Sequence, residues 1–226
     1  MSISSSKQKV NVVSCSFGEQ RKLYEFPPQH GGYEIITSFY TDENFPSREK
    51  CMLPRLKGKI PKMLQYNYEK SDYYIWIDSK FNIISPNFIG WMLETLSDSD
   101  IALFPHPCRS SIKSELDFML SEMKNERDDI HGYLLSRYNG EGMIEQVDKY
   151  LKDSNFRDDK LFACGMFIYR RELIIKHPNF FTDWMIENVV HSIQDQLSIP
   201  YLLYKHGIKY TTFNQHITNN EYIIYK

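Results

Sequence analysis

The sequence predicts an α/β fold: one domain on a mixed, mostly parallel sheet flanked by helices. Three observations carry the prediction. Residues 73–77, Tyr-Tyr-Ile-Trp-Ile, form an unbroken apolar run without Gly or Pro, the pattern of a strand covered on both faces. Short β-rich runs alternate with stretches of helical period through much of the chain, the rhythm of crossover connections. The length, 226 residues, suffices for one sizeable core and does not demand a second domain.

Composition narrows the function classes. Hydrophobic residues make up 42% and charged residues 25%, ordinary values for a globular domain. The formal net charge of −2 gives no global pull toward nucleic acid. Aromatic content is high, with 16 Tyr and 14 Phe, which suits both core building and stacking against sugars or bases. No apolar run approaches the ~20 residues of a membrane span, and the polar start MSISSSKQK lacks the apolar centre of a signal peptide. Cys15, Cys51, Cys108 and Cys164 are scattered without metal-binding spacing, as expected of free thiols in a reducing, cytoplasmic setting.

Taken in order, residues 1–8 read as a disordered lead. Residues 10–15, VNVVSC, form the first strand and run into a Ser-Phe-Gly loop. Neither a dinucleotide-binding glycine fingerprint nor a P-loop follows it. Residues 34–40 form the second strand, ending at Thr41-Asp42. A helix is expected over 55–68, weakened in its first half by Gly58 and Pro61. Its basic residues Arg55, Lys59 and Lys62 fall at i, i+4 and i+7 and so share one face. The apolar strand follows and stops abruptly at Asp78-Ser79-Lys80. A helix over 88–96 and a short strand over 101–104 come next, then the stiff polar loop Pro105 to Arg109. From Ser111 onward three helical stretches are expected, the first striped by Ile112, Leu116, Met119, Leu120 and Met123, the others over 127–138 and 143–151. This block, about 111–155, reads as a helical insertion over the sheet. Residues 161–169 form another strand, and Gly165 inside it marks a bulge or the close approach of a ligand. Helices over 178–191 and from Asp195 to Gly207 precede a last strand, 209–213, which delivers His216 to a loop.

Three candidate chemical groups lie at ends of these elements: Asp78, Asp195 and His216. A carboxylate at the end of a buried strand sits where open α/β sheets place their ligands. One carboxylate and one imidazole can hold Mg²⁺ or Mn²⁺ if substrate phosphates complete the shell. A second carboxylate could then take a proton from an attacking hydroxyl, with the basic stripe facing the phosphates. Each residue also has a plainer reading. Asp78 suits a strand-end turn, Asp195 a helix N-cap, the stripe a solvated face, and His216 a surface or core histidine.

Four segments in order carry a resemblance: Tyr73-Tyr74-Ile75-Trp76-Ile77-Asp78, His106-Pro107-Cys108-Arg109, Gly165-Met166-Phe167-Ile168-Tyr169-Arg170, and Asp195-Gln196-Leu197-Ser198-Ile199-Pro200-Tyr201. Together they resemble the GT-A class of nucleotide-sugar glycosyltransferases, in particular a branch marked by WID, HPxR and DQLSF segments. The chain is also similar to the glycosyltransferase domains that large algal DNA viruses use on capsid glycans, which would act in the host cytoplasm. The resemblance spans residues 10–216 and implies a GT-A-like fold with one sugar-transfer site. It implies Mn²⁺ or Mg²⁺ held by Asp78 and His216, with Lys80 standing where the family carries a second Asp. It implies a UDP- or GDP-sugar donor. Ser14, Cys15, Phe17 and Asp42 would hold base and ribose, and Arg55, Lys59 and Lys80 would lie near ribose and diphosphate. Gly165 and Met166 would approach the sugar and acceptor, with His106, Arg109 and Gln196 bordering the substrate. Asp195 would be the base of an inverting transfer of a hexose or deoxyhexose to a glycan or glycoprotein hydroxyl. A non-catalytic nucleotide-sugar or carbohydrate-binding module and a metal-dependent phosphoesterase remain as rival readings. So does a place as one domain of a longer protein.

Overall fold

A computed structural model describes residues 7–18, 26–45, 52–124 and 131–225, with 131–133 by backbone alone. Its strands are β1 (Lys9–Ser16), β2 (Glu34–Thr41), β3 (Tyr73–Ile77), β4 (Phe81–Ile83), β5 (Ile101–Pro105), β6 (Phe162–Arg170), β7 (Tyr210–Thr212) and β8 (Ile223–Tyr225). Its helices are α1 (Pro54–Leu64), α2 (Phe88–Leu96), α3 (Ile112–Lys124), α4 (His131–Tyr138), α5 (Met143–Leu151), α6 (Arg171–Lys176), α7 (Phe180–Val190) and α8 (Asp195–Lys205).

Six strands form the central sheet in the order β2-β1-β3-β6-β5-β7. β1 runs parallel to β2 and β3, and β5 runs parallel to β7. β6 is antiparallel to both of its neighbours, β3 and β5. The sheet is therefore mixed and mostly parallel, the expected class. β4 and β8 form a separate antiparallel ribbon.

The apolar run of β3 is covered on both faces because its side chains alternate. Tyr74 and Trp76 join Met63 of α1, Phe180 and Trp184 of α7 and Leu202 of α8 on one face. Ile75 and Ile77 join Phe88, Ile89 and Met92 of α2 on the other. The expected insertion is α3 to α5, between β5 and β6. Its apolar stripes close on each other and on Leu161, Ile193 and Leu197, so the block is held against the start of α8.

Several boundaries differ from the expectation. α1 stops at Leu64 and tightens into a 3-10 turn over Gln65–Asn67, where one helix to 68 was expected. Pro61 stays within α1. The expected helix over 178–191 starts at Phe180, and the short α6 precedes it. β8 was not foreseen: three residues show no readable period. Residues 1–6 of the expected lead and the first part of the expected helix over 127–138 lie outside the described residues. At the end of that lead the Gln8 carbonyl accepts a hydrogen bond from the Glu34 N–H at 3.0 Å, so pairing begins before β1. Among the described residues no helix is long and apolar enough to cross a membrane.

Candidate active-site cleft

The C-terminal ends of β1, β3 and β5 lie at one edge of the sheet. β6 runs the other way, so its first half, carrying Gly165, lies at that edge too. A cleft of ≈ 540 Å³ opens there and continues to α1, α3, α4 and the start of α8. The lining includes six basic side chains, from Arg55, Lys59, Lys62, Lys80, Arg109 and Arg137, against the carboxylates of Asp78, Glu115 and Asp195. The cleft is thus cationic in a chain whose formal net charge is −2.

Asp78 is held from several sides. Its N–H donates to the Gly165 carbonyl at 2.8 Å, extending the β3–β6 ladder by one bond. Its Oδ1 accepts from Trp76 Nε1 at 2.8 Å, which fixes the carboxylate over the strand it terminates. Lys62 Nζ stands 4.0 Å from Oδ1, and Lys80 Nζ stands 3.7 Å from Oδ2. Gly165 has to be small here. A Cβ would lie 3.0 Å from Phe81 Cε2 and 3.4 Å from Asp78 Oδ2. The bulge expected at this glycine is present: the β5 register jumps between Leu103 opposite Phe167 and Phe104 opposite Ala163. Residues 164–166 are thereby left as a bulge beside the cleft.

Asp195 is the first residue of α8, and its side chain does not cap the helix. Its Oδ2 instead takes Lys59 Nζ at 2.7 Å and Lys62 Nζ at 2.5 Å. Burial pushes the Asp195 carboxyl upward, but the two ammonium groups outweigh it and hold it well below the usual range. Burial would likewise lower Lys62, but Asp195 and then Asp78 outweigh it and the group lies above its ordinary value. Lys59 falls below its ordinary value, because burial dominates and Lys62 adds like charge. The expectation of a carboxylate left free for a proton is therefore corrected: Asp195 is doubly paired. The plain reading of the basic stripe as a solvated face is also overturned for Lys59 and Lys62.

On the other wall, His106 Nδ1 accepts from the N–H groups of Cys108 at 3.2 Å and Arg109 at 3.1 Å, shaping the loop after β5. Burial keeps its imidazole pKa below the ordinary value. Arg109 pairs with Glu115 of α3, and Gln194 Nε2 donates to the other Glu115 oxygen at 3.0 Å. Glu115 thus ties the β5 loop to the residue before α8. The Arg109 guanidinium also lies 4.0 Å over the Phe118 ring.

The cleft brings together Cys15, Phe17, Arg55, Lys59, Asp78, Lys80, His106, Arg109, Gly165, Asp195 and Gln196, all named from the sequence. Four others fall elsewhere. Ser14 is buried inside β1, two positions short of the strand end. Met166 is fully buried in the core face with Ile75, Ile77 and Ile168. Asp42 binds the Gly18 N–H at 2.7 Å and Lys57 Nζ at 2.6 Å, bracing the neighbouring loops. Its carboxyl is held below the usual range first by Gly18 and then by Lys57. His216 is exposed at the turn before β8, with Nδ1 taken by Thr218, and it does not line the cleft. The sequence reading missed Trp76, Glu115, Phe118, Tyr138 and Gln194 as site residues. It saw Lys62 only as part of the stripe.

An open, mostly parallel sheet with a cationic cleft at its strand ends and an insertion closing one wall has a GT-A-like fold, the class of glycosyltransferase-like domains. A family model for the TOD1/MUCI70, glycosyltransferase-like domain matches residues 47–222, and the chain belongs to that family. No curated protein matches. Among solved structures, the WbbM bifunctional glycosyltransferase in its apo form is 14% identical with a TM-score of 0.46, covering 91% of this chain and 39% of that one. Mouse xyloside xylosyltransferase 1, also apo, is 7% identical with a TM-score of 0.45, covering 91% and 85%. A glycosyltransferase involved in glycosylation of the major capsid of PBCV-1 is 8% identical with a TM-score of 0.44, covering 90% and 81%.

Folds of this class commonly use a divalent cation, and the residues here do not fit one. The Asp78 carboxylate is flanked by two ammonium groups and bonded by an indole N–H. The expected partner His216 is not among the residues lining the cleft. Among the described residues no group of three His, Cys, Asp or Glu could hold a metal ion. The expected Asp78/His216 metal pair is corrected on these grounds.

Proposed function

We propose that this chain transfers a hexose or deoxyhexose from a nucleoside-diphosphate donor to a hydroxyl of a glycan or glycoprotein. The observation that carries the reading is the concentration of basic side chains around Asp78 and Gly165, at the strand-end edge of the sheet. A nucleoside diphosphate is a polyanion with one apolar end, and this cleft offers both matching environments. In the proposal the base lies against Cys15 to Phe17, and the diphosphate lies along Lys59 and Lys62. The sugar lies against Gly165 and Asp78, bordered by His106 and Arg109. The acceptor enters beside Gln196.

The reaction is one in-line displacement with inversion. The bond from the anomeric carbon to the diphosphate oxygen breaks as the bond to the acceptor oxygen forms, with positive charge shared by the ring oxygen. The acceptor proton goes to Asp195. In the unliganded cleft Asp195 is a weak base because Lys59 and Lys62 hold it. An arriving diphosphate competes for both ammonium groups, and the carboxylate they release regains basicity where the acceptor binds.

This coupling makes a sharp prediction. Asp195→Asn lowers transfer by about 10²–10⁴-fold, the usual cost of losing a general base. UDP or GDP binding stays unchanged or tightens, since the lysines no longer have a carboxylate to satisfy. Nucleotide release with a panel of glycan acceptors, alongside calorimetry, reads both quantities. Turnover at the wild-type rate, or loss of nucleotide binding in step with turnover, would contradict the assignment. Tight donor binding by the wild type with no nucleotide release would identify a binding module instead.

A further inference from the structure

Resting on that reading of the cleft, we propose that its lysines neutralise the leaving diphosphate themselves, and that donor binding and departure proceed without a divalent cation. Lys80 is the central residue. Its Nζ stands 3.7 Å from Asp78 Oδ2 and also lies over the rings of Phe81, at 5.5 Å, and Tyr225, at 5.6 Å. The β4–β8 ribbon therefore holds an ammonium group beside the strand-end carboxylate. Lys62 holds a second one 4.0 Å from Asp78 Oδ1, over the Trp76 ring at 5.4 Å.

A cation bound to either Asp78 oxygen would sit roughly 2 Å from it, directly against one of these ammonium groups. Each ammonium carries a full charge and three donors, which suit phosphate oxygens. Together with Lys59, they bring three ammonium groups to the cleft, which the carboxylates of Asp78 and Asp195 offset only in part. Asp78 then acts as a positioning residue that keeps Lys62 and Lys80 facing the ligand. The step balances simply: the diphosphate leaves with the electron pair of the broken C–O bond, and its added charge is met by lysine N–H donors already in place.

The test is titration calorimetry of the metal-stripped chain with UDP and GDP, in EDTA and again in excess Mn²⁺. The wild type binds at least one nucleotide in EDTA, and Mn²⁺ changes its dissociation constant by less than about threefold, because the charge is already compensated. Lys80→Ala weakens binding in EDTA by about tenfold or more but leaves the affinity for the free nucleoside unchanged, since only a charge-assisted phosphate contact is lost. Lys80→Asp places a second carboxylate two residues after Asp78, and its nucleotide binding becomes dependent on Mn²⁺. Lys80 is 40% exposed, so both variants are expected to fold, and circular dichroism checks that they do. Wild-type binding seen only with Mn²⁺ overturns the proposal while leaving the cleft a nucleotide site. No binding of either nucleotide in either buffer overturns the reading of the cleft as a UDP or GDP site, on which it rests.

Discussion

At the scale of single residues, Gly165 is the tightest constraint on the cleft. A methyl at this position meets Phe81 Cε2 at 3.0 Å and Asp78 Oδ2 at 3.4 Å, so the phenyl ring or the carboxylate must yield. Gly165→Ala is expected to cost about 1–3 kcal/mol, the usual cost of overpacking. It should also lower donor turnover by displacing Asp78; thermal melts and a transfer assay read the two effects. A second residue-scale expectation concerns the thiols. Burial pushes Cys15 up to about 12, with Asp78 adding to it, and pushes Cys164 well above the ordinary thiol value. Iodoacetamide at pH 8 should therefore label the exposed Cys108 well before either of them, as peptide mass spectrometry would show. Prior labelling of Cys15 would mean that the strand end is open to solvent. The residues legible beforehand were those whose type is unusual at an element end: Asp78 after an aromatic strand, Gly165 within one, Asp195 at a helix start. The pairing of Lys59 with Asp195, separated by 136 positions, has no local signature. Met166 was misplaced for the converse reason: its strand alternation sends it into the core.

At the scale of elements, the triad of Lys59, Lys62 and Asp195 pins α1 to the start of α8. The folded carboxyl lies below its unfolded value. Its stabilising contribution is therefore fully present above the ordinary carboxylate pKa of about 3.9. It is lost as the pH falls below that value toward the depressed folded one. Asp195→Asn should lower stability by about 3–5 kcal/mol at pH 7, as expected for breaking a buried ion pair. The gap between mutant and wild type should narrow progressively below pH ~4, as the unfolded wild-type chain takes up a proton that the folded carboxylate still refuses. Urea unfolding of both proteins across that range measures it, and a gap independent of pH would show that the carboxylate is not tied as described. Helical and strand elements with several turns or an unbroken apolar run were readable. α2 and α5 match their expected limits because the flanking Pro-Asn and Gly-Glu-Gly segments punctuate them. The β4–β8 ribbon was not readable, since two three-residue strands carry no period. Yet that ribbon supplies the rings beside Lys80, so part of the site depended on an element without a sequence signal.

At the scale of the whole molecule, a near-neutral chain concentrates positive charge at one edge of its sheet. Net charge alone concealed this, because the cleft lining holds six Lys and Arg side chains against three carboxylates while the whole chain sums to −2. The class of sheet was legible from the rhythm of the chain; its strand order and the reversed direction of β6 were not, since both are set by long-range pairing. The reversal matters for function, because it brings Gly165 to the edge where β1, β3 and β5 end. The central claim is that this edge binds a nucleoside diphosphate. Thermal denaturation with UDP, GDP, CDP and ADP tests it most directly. A ligand at 100 times its dissociation constant adds about 2.7 kcal/mol, which for a chain of this size raises the melting temperature by roughly 5–10 °C. At least one of the four is predicted to do so in the wild type and to do so much less in Lys80→Ala. Melting curves that none of the four shifts at millimolar concentration would contradict the account.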